Sequence, residues 1–143
     1  MKALALCLLL ATPAAAQDVV DAPGGVLRWL DKVSGETADI ELSRGQSAVS
    51  GNLTIQLDEC RYPADNPASN AFAHLTIMDA KSETTAFSGW MIAASPALSA
   101  LDHPRYDVWV LRCITPEAAA IPDEPAAPEG EAEAPEAPAN DGG

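Results

Sequence analysis

The chain has 143 residues, with 21 Asp and Glu against 8 Lys and Arg and a formal net charge of −13. Nucleic acid and anionic membrane surfaces both reward a basic face, and this balance excludes them as partners. Every Lys and Arg precedes residue 117, whereas Glu117–Gly143 carries acids alone.

Met1-Lys2 followed by the apolar run Ala3–Ala11 and the small residues Ala14-Ala15-Ala16 has the three-part layout of a secretory signal peptide. Cleavage is expected after residue 16. The apolar run is too short to cross a bilayer, which takes about 20 residues. A soluble periplasmic product without stable membrane insertion is therefore expected. Lipidation at Cys7 is disfavoured, because Leu6 stands where lipoprotein processing needs a small side chain. Residues 17–25 read as a flexible lead-in to a domain over 26–115.

Val26–Val33 is β-rich, with Leu27, Trp29 and Val33 assigned to one face, and Ser34-Gly35 reads as a turn. Thr37–Leu42 alternates, placing Ala38, Ile40 and Leu42 inward in a hairpin partner. Ser43–Gln46 and Ser50-Gly51 read as further turns. Asn52–Cys60 sets Leu53, Ile55 and Leu57 against Thr54, Gln56 and Asp58, and a loop follows from Tyr62 to Pro67. Ala71–Met78 and Ala86–Ala93 are further strands, the second with an internal Gly89 that marks a bulge or a close backbone approach. Ser95–Asp102 carries an N-cap Ser, a following Pro96 and a stop at Pro104, which predicts a short helix docking Leu98 and Leu101. Tyr106–Ile114 is a strong closing strand, with Trp109, Leu111 and Cys113 on one face and Val108 and Val110 on the other. The fold class is thus all-β and mainly antiparallel, a small sandwich or barrel-like domain with one short helix. Residues 116–143, rich in Pro, Ala and Glu, cannot bury enough surface to offset their ordering entropy and are expected to be a disordered acidic tail.

With the leader removed, two cysteines remain, Cys60 and Cys113. In an oxidising compartment they are expected to pair. The bond would close a loop of more than about fifty residues and contribute ~4 kcal/mol to a domain small enough to need it.

His74 and His103 are the only imidazoles. With Cys60 and Cys113 they could make up a metal site, but the close ligand spacings that preorganise zinc are missing and the thiols would pair first, so neither metal nor cofactor is expected. The serines at Ser88, Ser95 and Ser99 lack a nucleophile-elbow context, and Asp58-Glu59 sends its carboxylates to opposite faces of a strand. No catalytic residue is assigned. Trp29 and Trp109 read as core. Trp90 and Met91, preceded by Ser88-Gly89, read instead as an apolar ledge, with His103, Arg105 and Tyr106 as its polar rim.

Four segments carry a family resemblance: Leu30–Gly35, Cys60–Pro63, Phe87–Met91 and Ser95–Trp109. Together they resemble an alphaproteobacterial exported family of unknown function, DUF family 2155, over Val26 to Ile114. The resemblance implies an exported domain and brings no catalytic or binding residue with it. The functional expectation is a non-catalytic periplasmic module that contacts an envelope protein or complex. A cell-wall glycan-binding module and a hydrolase with an unrecognised site are the alternatives.

Overall fold

A computed structural model of the chain describes residues 16–120. The expected leader (but for Ala16) and the acidic tail beyond Ala120 lie outside the described residues. Eight strands make up most of the rest: β1 Val19–Asp21, β2 Gly24–Asp31, β3 Thr37–Ser43, β4 Ser47–Ser50, β5 Leu53–Pro63, β6 Phe72–Asp79, β7 Thr84–Ile92 and β8 Tyr106–Ile114. All pairings are antiparallel. They form two open sheets. One has the order β3-β2-β8, and the other runs β1-β5-β6-β7 with β4 sharing the β1 edge of β5.

Alternation explains which faces meet. Leu53, Ile55 and Leu57 of β5, with Ala73, Leu75 and Ile77 of β6, are fully buried, and they face Leu27 and Trp29 of β2 and Val108 and Val110 of β8. Full burial of one such side chain is worth roughly 1.5–3 kcal/mol.

Two β-bulges decide where the cysteines point. Leu57 pairs with Leu75 while Glu59 pairs with His74, so Asp58 is an extra residue in β5. Successive strand residues face opposite ways, and an inserted residue reverses the phase. Without it Cys60 would share the outer face with Thr54 and Gln56; with it Cys60 turns inward and is 1% exposed. In β8, Leu27 pairs with Val110 and Val26 with Arg112, leaving Leu111 as the extra residue. Cys113 thereby joins the inward face of Val108 and Val110 rather than that of Trp109 and Leu111, which corrects the sequence expectation. The two cysteines are joined in a disulfide, their Cα atoms 5.7 Å apart, across the two sheets.

Several other expectations are corrected. The lead-in is ordered at β1, where Val20 pairs with Tyr62, and β2 begins at Gly24. Those glycines are needed for close approach: a Cβ on Gly24 would lie 2.4 Å from the Leu42 carbonyl oxygen, and one on Gly25 would lie 3.0 Å from Cys60 Sγ. Val33 lies beyond the end of β2 and is exposed, and Ala38 is exposed too. Tyr62-Pro63 extends β5 rather than opening a loop. The bulge in β7 falls at Ala86, since Ile77 pairs with Phe87 and Met78 with Thr85, and not at Gly89. The short helix shrinks to a 3-10 turn, Pro96–Leu98, without a side-chain cap from Ser95; Leu98 is exposed and Leu101 alone is buried. Thr115 caps one helical turn, α1 Pro116–Ala119, where the tail was expected to begin. Among the described residues no helix is long and apolar enough to cross a membrane.

Candidate functional site

The residues expected to form one ledge and rim divide between a surface and an internal support. Trp90 projects from the outer face of the larger sheet and is 37% exposed. Met91, next in the strand, points the other way and is 2% exposed, so it belongs to the core and not to a ledge. The alternation of β7 requires this split.

His103, Arg105 and Tyr106 gather where β8 begins, around Asp31 at the end of β2. Asp31 Oδ1 accepts the backbone N–H of Val33 at 2.9 Å, and Oδ2 accepts Arg105 Nη2 at 2.7 Å and Nε at 3.1 Å. The Arg105 guanidinium, aided by the backbone N–H groups of Val33 and Ser34 and opposed by burial, holds the Asp31 carboxyl down at about 2. His103 Nδ1 accepts the N–H groups of Arg105 at 3.2 Å and Tyr106 at 3.0 Å, which leaves Nε2 to donate to Asp79 Oδ2 at 3.4 Å. Hydrogen bonds from Lys81 N–H, Ser82 and His103 keep the Asp79 carboxyl below its ordinary range against the opposing effect of burial. The Tyr106 ring is 3% exposed and lies 5.4 Å from Trp29 and 5.2 Å from His103. This cluster fastens the segment between β7 and β8 onto two turns. It is a structural lock and not a rim for Trp90.

Sequence reading missed the companions of Trp90. Arg61 of β5 lies over the Trp90 ring at 4.9 Å, and His74 of β6 meets it edge-on at 5.3 Å. Val19, Phe72 and Ile92 complete a shallow cleft of about 310 Å³ beside the ring. Arg61 is itself held by Asp21 at 3.0 Å and Glu59 at 2.6 Å, and Arg44 approaches Glu59 at 3.6 Å. On the other side of His74, the bulged Asp58 collects three donors: Gln56 Nε2 at 2.9 Å, Thr76 Oγ1 at 2.8 Å and His74 Nδ1 at 2.9 Å. A usable signal was present in the sequence. Leu53, Ile55 and Leu57 are odd-numbered while Cys60 and Tyr62 are even, so the phase must slip between them and drive polar side chains outward together.

Chemically, this face offers an aromatic surface with a cation over it, an apolar cleft and a row of hydrogen-bonding groups. Cys60, Cys113, His74 and His103 are not gathered as one ligand set. The two sulfurs are bonded to each other, and His74 and His103 serve different carboxylates.

Fold and site together define a small disulfide-linked, two-sheet β domain with an aromatic patch on the outer face of its larger sheet. The chain belongs to the family described as "Uncharacterized protein conserved in bacteria (DUF2155)", whose family model matches residues 25–113. It is 30% identical over 92 residues to an uncharacterized protein of Rickettsia prowazekii (strain Madrid E), covering 62% of this chain and 59% of that protein's length. No solved structure matches it.

Proposed function

We propose that the protein is a non-catalytic binding or accessory module of the bacterial envelope, exported to the periplasm, and that it contacts a protein or complex through the Trp90 face. The observation that carries this reading is the cleft itself. A Trp ring stands exposed on a sheet face beside Val19, Phe72 and Ile92, with Arg61 across it. Trp and Arg are among the side chains that most often anchor protein interfaces. Trp gives large contact area at low entropic cost, and the planar guanidinium of Arg stacks and donates several hydrogen bonds. The acidic composition suits a partner with a basic rim.

The test is site-specific photo-cross-linking in cells, with the photoreactive side chain at Phe72 on this face or at Glu41 on the opposite sheet. A stoichiometric protein adduct from position 72, absent from position 41 and lost with Trp90→Ala, is expected. Equal labelling from both positions would refute the reading. A second reading has an observation of its own: Asp58, Gln56, Thr76 and His74 form a polar row beside an aromatic ring, an arrangement that suits a sugar. In that case the protein would sediment with purified murein, Trp90→Ala would not, and position 72 would yield no protein adduct.

A further inference from the structure

The larger sheet ends on β7, which pairs with β6 alone. An edge strand presents unmatched N–H and C=O groups, and folded proteins ordinarily blunt such edges with charge, proline or short length. The other edges of the two sheets are blunted in these ways. β1 and β4 are three and four residues long. β3 carries Asp39 and Glu41, and on β8 the Asp107 carboxylate takes up the N–H of Val108 at 3.0 Å. β7 has nine residues, Thr84–Ile92, without a charge or a proline.

The phase of the β6–β7 ladder decides which groups are free. The Ala93 N–H donates to the Ala71 carbonyl at 2.9 Å, so the pairs in step with it, Met91 with Ala73 and Gly89 with Leu75, exchange the ladder bonds. Ser88 and Trp90 lie between and turn their N–H and C=O groups to the open edge. Among the described residues these groups have no other backbone partner. The free stretch is bounded at both ends. The bulge at Ala86 breaks it before Phe87, and the Ile92 carbonyl is taken by the Ser95 N–H at 3.1 Å. What remains, Phe87–Met91, is centred on Gly89, and its free groups are symmetric about that residue. The fold of one chain does not demand this glycine. Its backbone is not left-handed, and a Cβ there would meet only the Phe87 ring, at 3.6 Å. Glycine inside a strand weakens it and often marks a close approach by another backbone.

We propose that β7 pairs antiparallel with β7 of a second copy about a two-fold axis at Gly89, joining the two larger sheets and their Trp90 faces. Ser88 then exchanges both backbone hydrogen bonds with Trp90 of the second copy, and the symmetry repeats the pair. Between them Gly89 faces its own counterpart, in a close pair with Cα atoms about 4.5 Å apart. Charge selects this edge in a chain with a net charge of −13. β7 meets itself without opposing charges, whereas β3 paired with itself about Ile40 would set Asp39 against Glu41, and like charges directly opposite are destabilising. The two Trp90 side chains become diagonal neighbours on the outer face, roughly 7–8 Å apart and within reach of each other. A partner would then meet a doubled aromatic patch. That last role rests on the binding reading given above, whereas the pairing does not.

The test is sedimentation equilibrium of the full, disulfide-bonded chain from micromolar to millimolar concentration. The apparent mass should rise from one chain toward two. Ser88→Pro removes an N–H that faces the edge and none from the ladder with β6, so it should weaken association about tenfold or more. Should that variant fail to fold by circular dichroism, Gly89→Cys decides. Its two sulfurs would meet across the axis, and mild oxidation should link two chains, whereas Thr85→Cys, farther from the axis, should stay unlinked. A chain that remains monomeric to millimolar concentration would overturn the proposal and leave the β7 edge to a strand of another protein. So would a dimer that folded Ser88→Pro does not weaken, or one that Gly89→Cys does not link, since its contact must lie elsewhere. If the dimer forms through β7 but the cross-linking test from Phe72 gives no partner, the pairing is upheld and only the role of the doubled patch is overturned.

Discussion

Breaking the Cys60–Cys113 bond tests the central structural claim, that one covalent link ties the two sheets at the end where Gly25 lets β2 approach Cys60 of the other sheet. The bond joins residues 53 apart in sequence. In the chain-entropy model a loop of that length contributes about 4 kcal/mol through the unfolded state. For a domain of roughly 100 residues each kcal/mol is worth about 4–8 °C, so the melting temperature should fall by about 15–30 °C. The assay is thermal melting followed by circular dichroism, with and without reductant, on the wild type and on the Cys60→Ala/Cys113→Ala double variant. Reduced wild type and double variant should melt at similar temperatures, well below the oxidised protein, and the variant should ignore the reductant. The wild type also serves as a control for lost side-chain volume, because reduction keeps both sulfurs. Oxidised and reduced wild type melting within about 5 °C of each other would refute the reasoning, since a clamp worth several kcal/mol cannot be removed that quietly.

Deleting Asp58 should return Cys60 to the outer face and leave two alkylatable thiols in exported protein; intact-mass analysis after alkylation reads the result, and a retained disulfide would show that the bulge does not set the phase. Trp90→Ala should change the urea midpoint little, while Met91→Ala should cost about 2–5 kcal/mol as a buried large-to-small change, although the two are neighbours in sequence. Gly51 has φ of 58° and a Cβ there would lie 2.6 Å from the Tyr106 ring, so Gly51→Ala should cost about 2 kcal/mol or more by urea unfolding. Asp31 titrates at about 2 in the folded chain against about 3.9 unfolded. A lowered carboxyl contributes stability that is whole above about 4 and is lost as pH falls through about 2. Melting temperatures across that window should therefore fall more steeply for the wild type than for Asp31→Asn, and parallel curves would show that the Arg105 pairing is not felt.

What the sequence made legible follows the strength of the local signal. β5, β6 and β8 could be read as strands because their alternation holds up to the bulges at Asp58 and Leu111, and Leu53, Ile55, Leu57, Leu75 and Ile77 are all buried as their positions demand. Past the bulges that alternation no longer gives the phase of Cys60 and Cys113. β1 and the start of β2 were not legible. Gly24-Gly25 has the composition of a loop, and its actual reason for being glycine is a carbonyl of β3 and a sulfur of β5, both distant in sequence. The segment 95–102 shows the limit of cap and stop signals. Ser, Pro and a downstream Pro frame a helix, but the strap must cross from the end of β7 to the start of β8, and only Leu101 finds a place in the core. The Trp90 face was half legible: the ring was found, while Arg61, His74 and Phe72 come from strands that only the sheet order makes neighbours.

The bulge at Asp58 connects the inner and outer sides of this sheet. One inserted residue turns Cys60 inward, where the disulfide forms, and by the same shift leaves Asp58 and Glu59 both facing outward. Glu59 then positions Arg61 over Trp90, and Asp58 positions His74 against the ring's edge. The covalent clamp, which also needs the β8 bulge at Leu111, and the aromatic patch therefore share one backbone irregularity in β5. A sequence change that removed the insertion would disturb both at once. For that reason loss of binding in a bulge variant says nothing about Trp90 by itself, and the face has to be tested by substitutions such as Trp90→Ala that leave the phase of β5 intact.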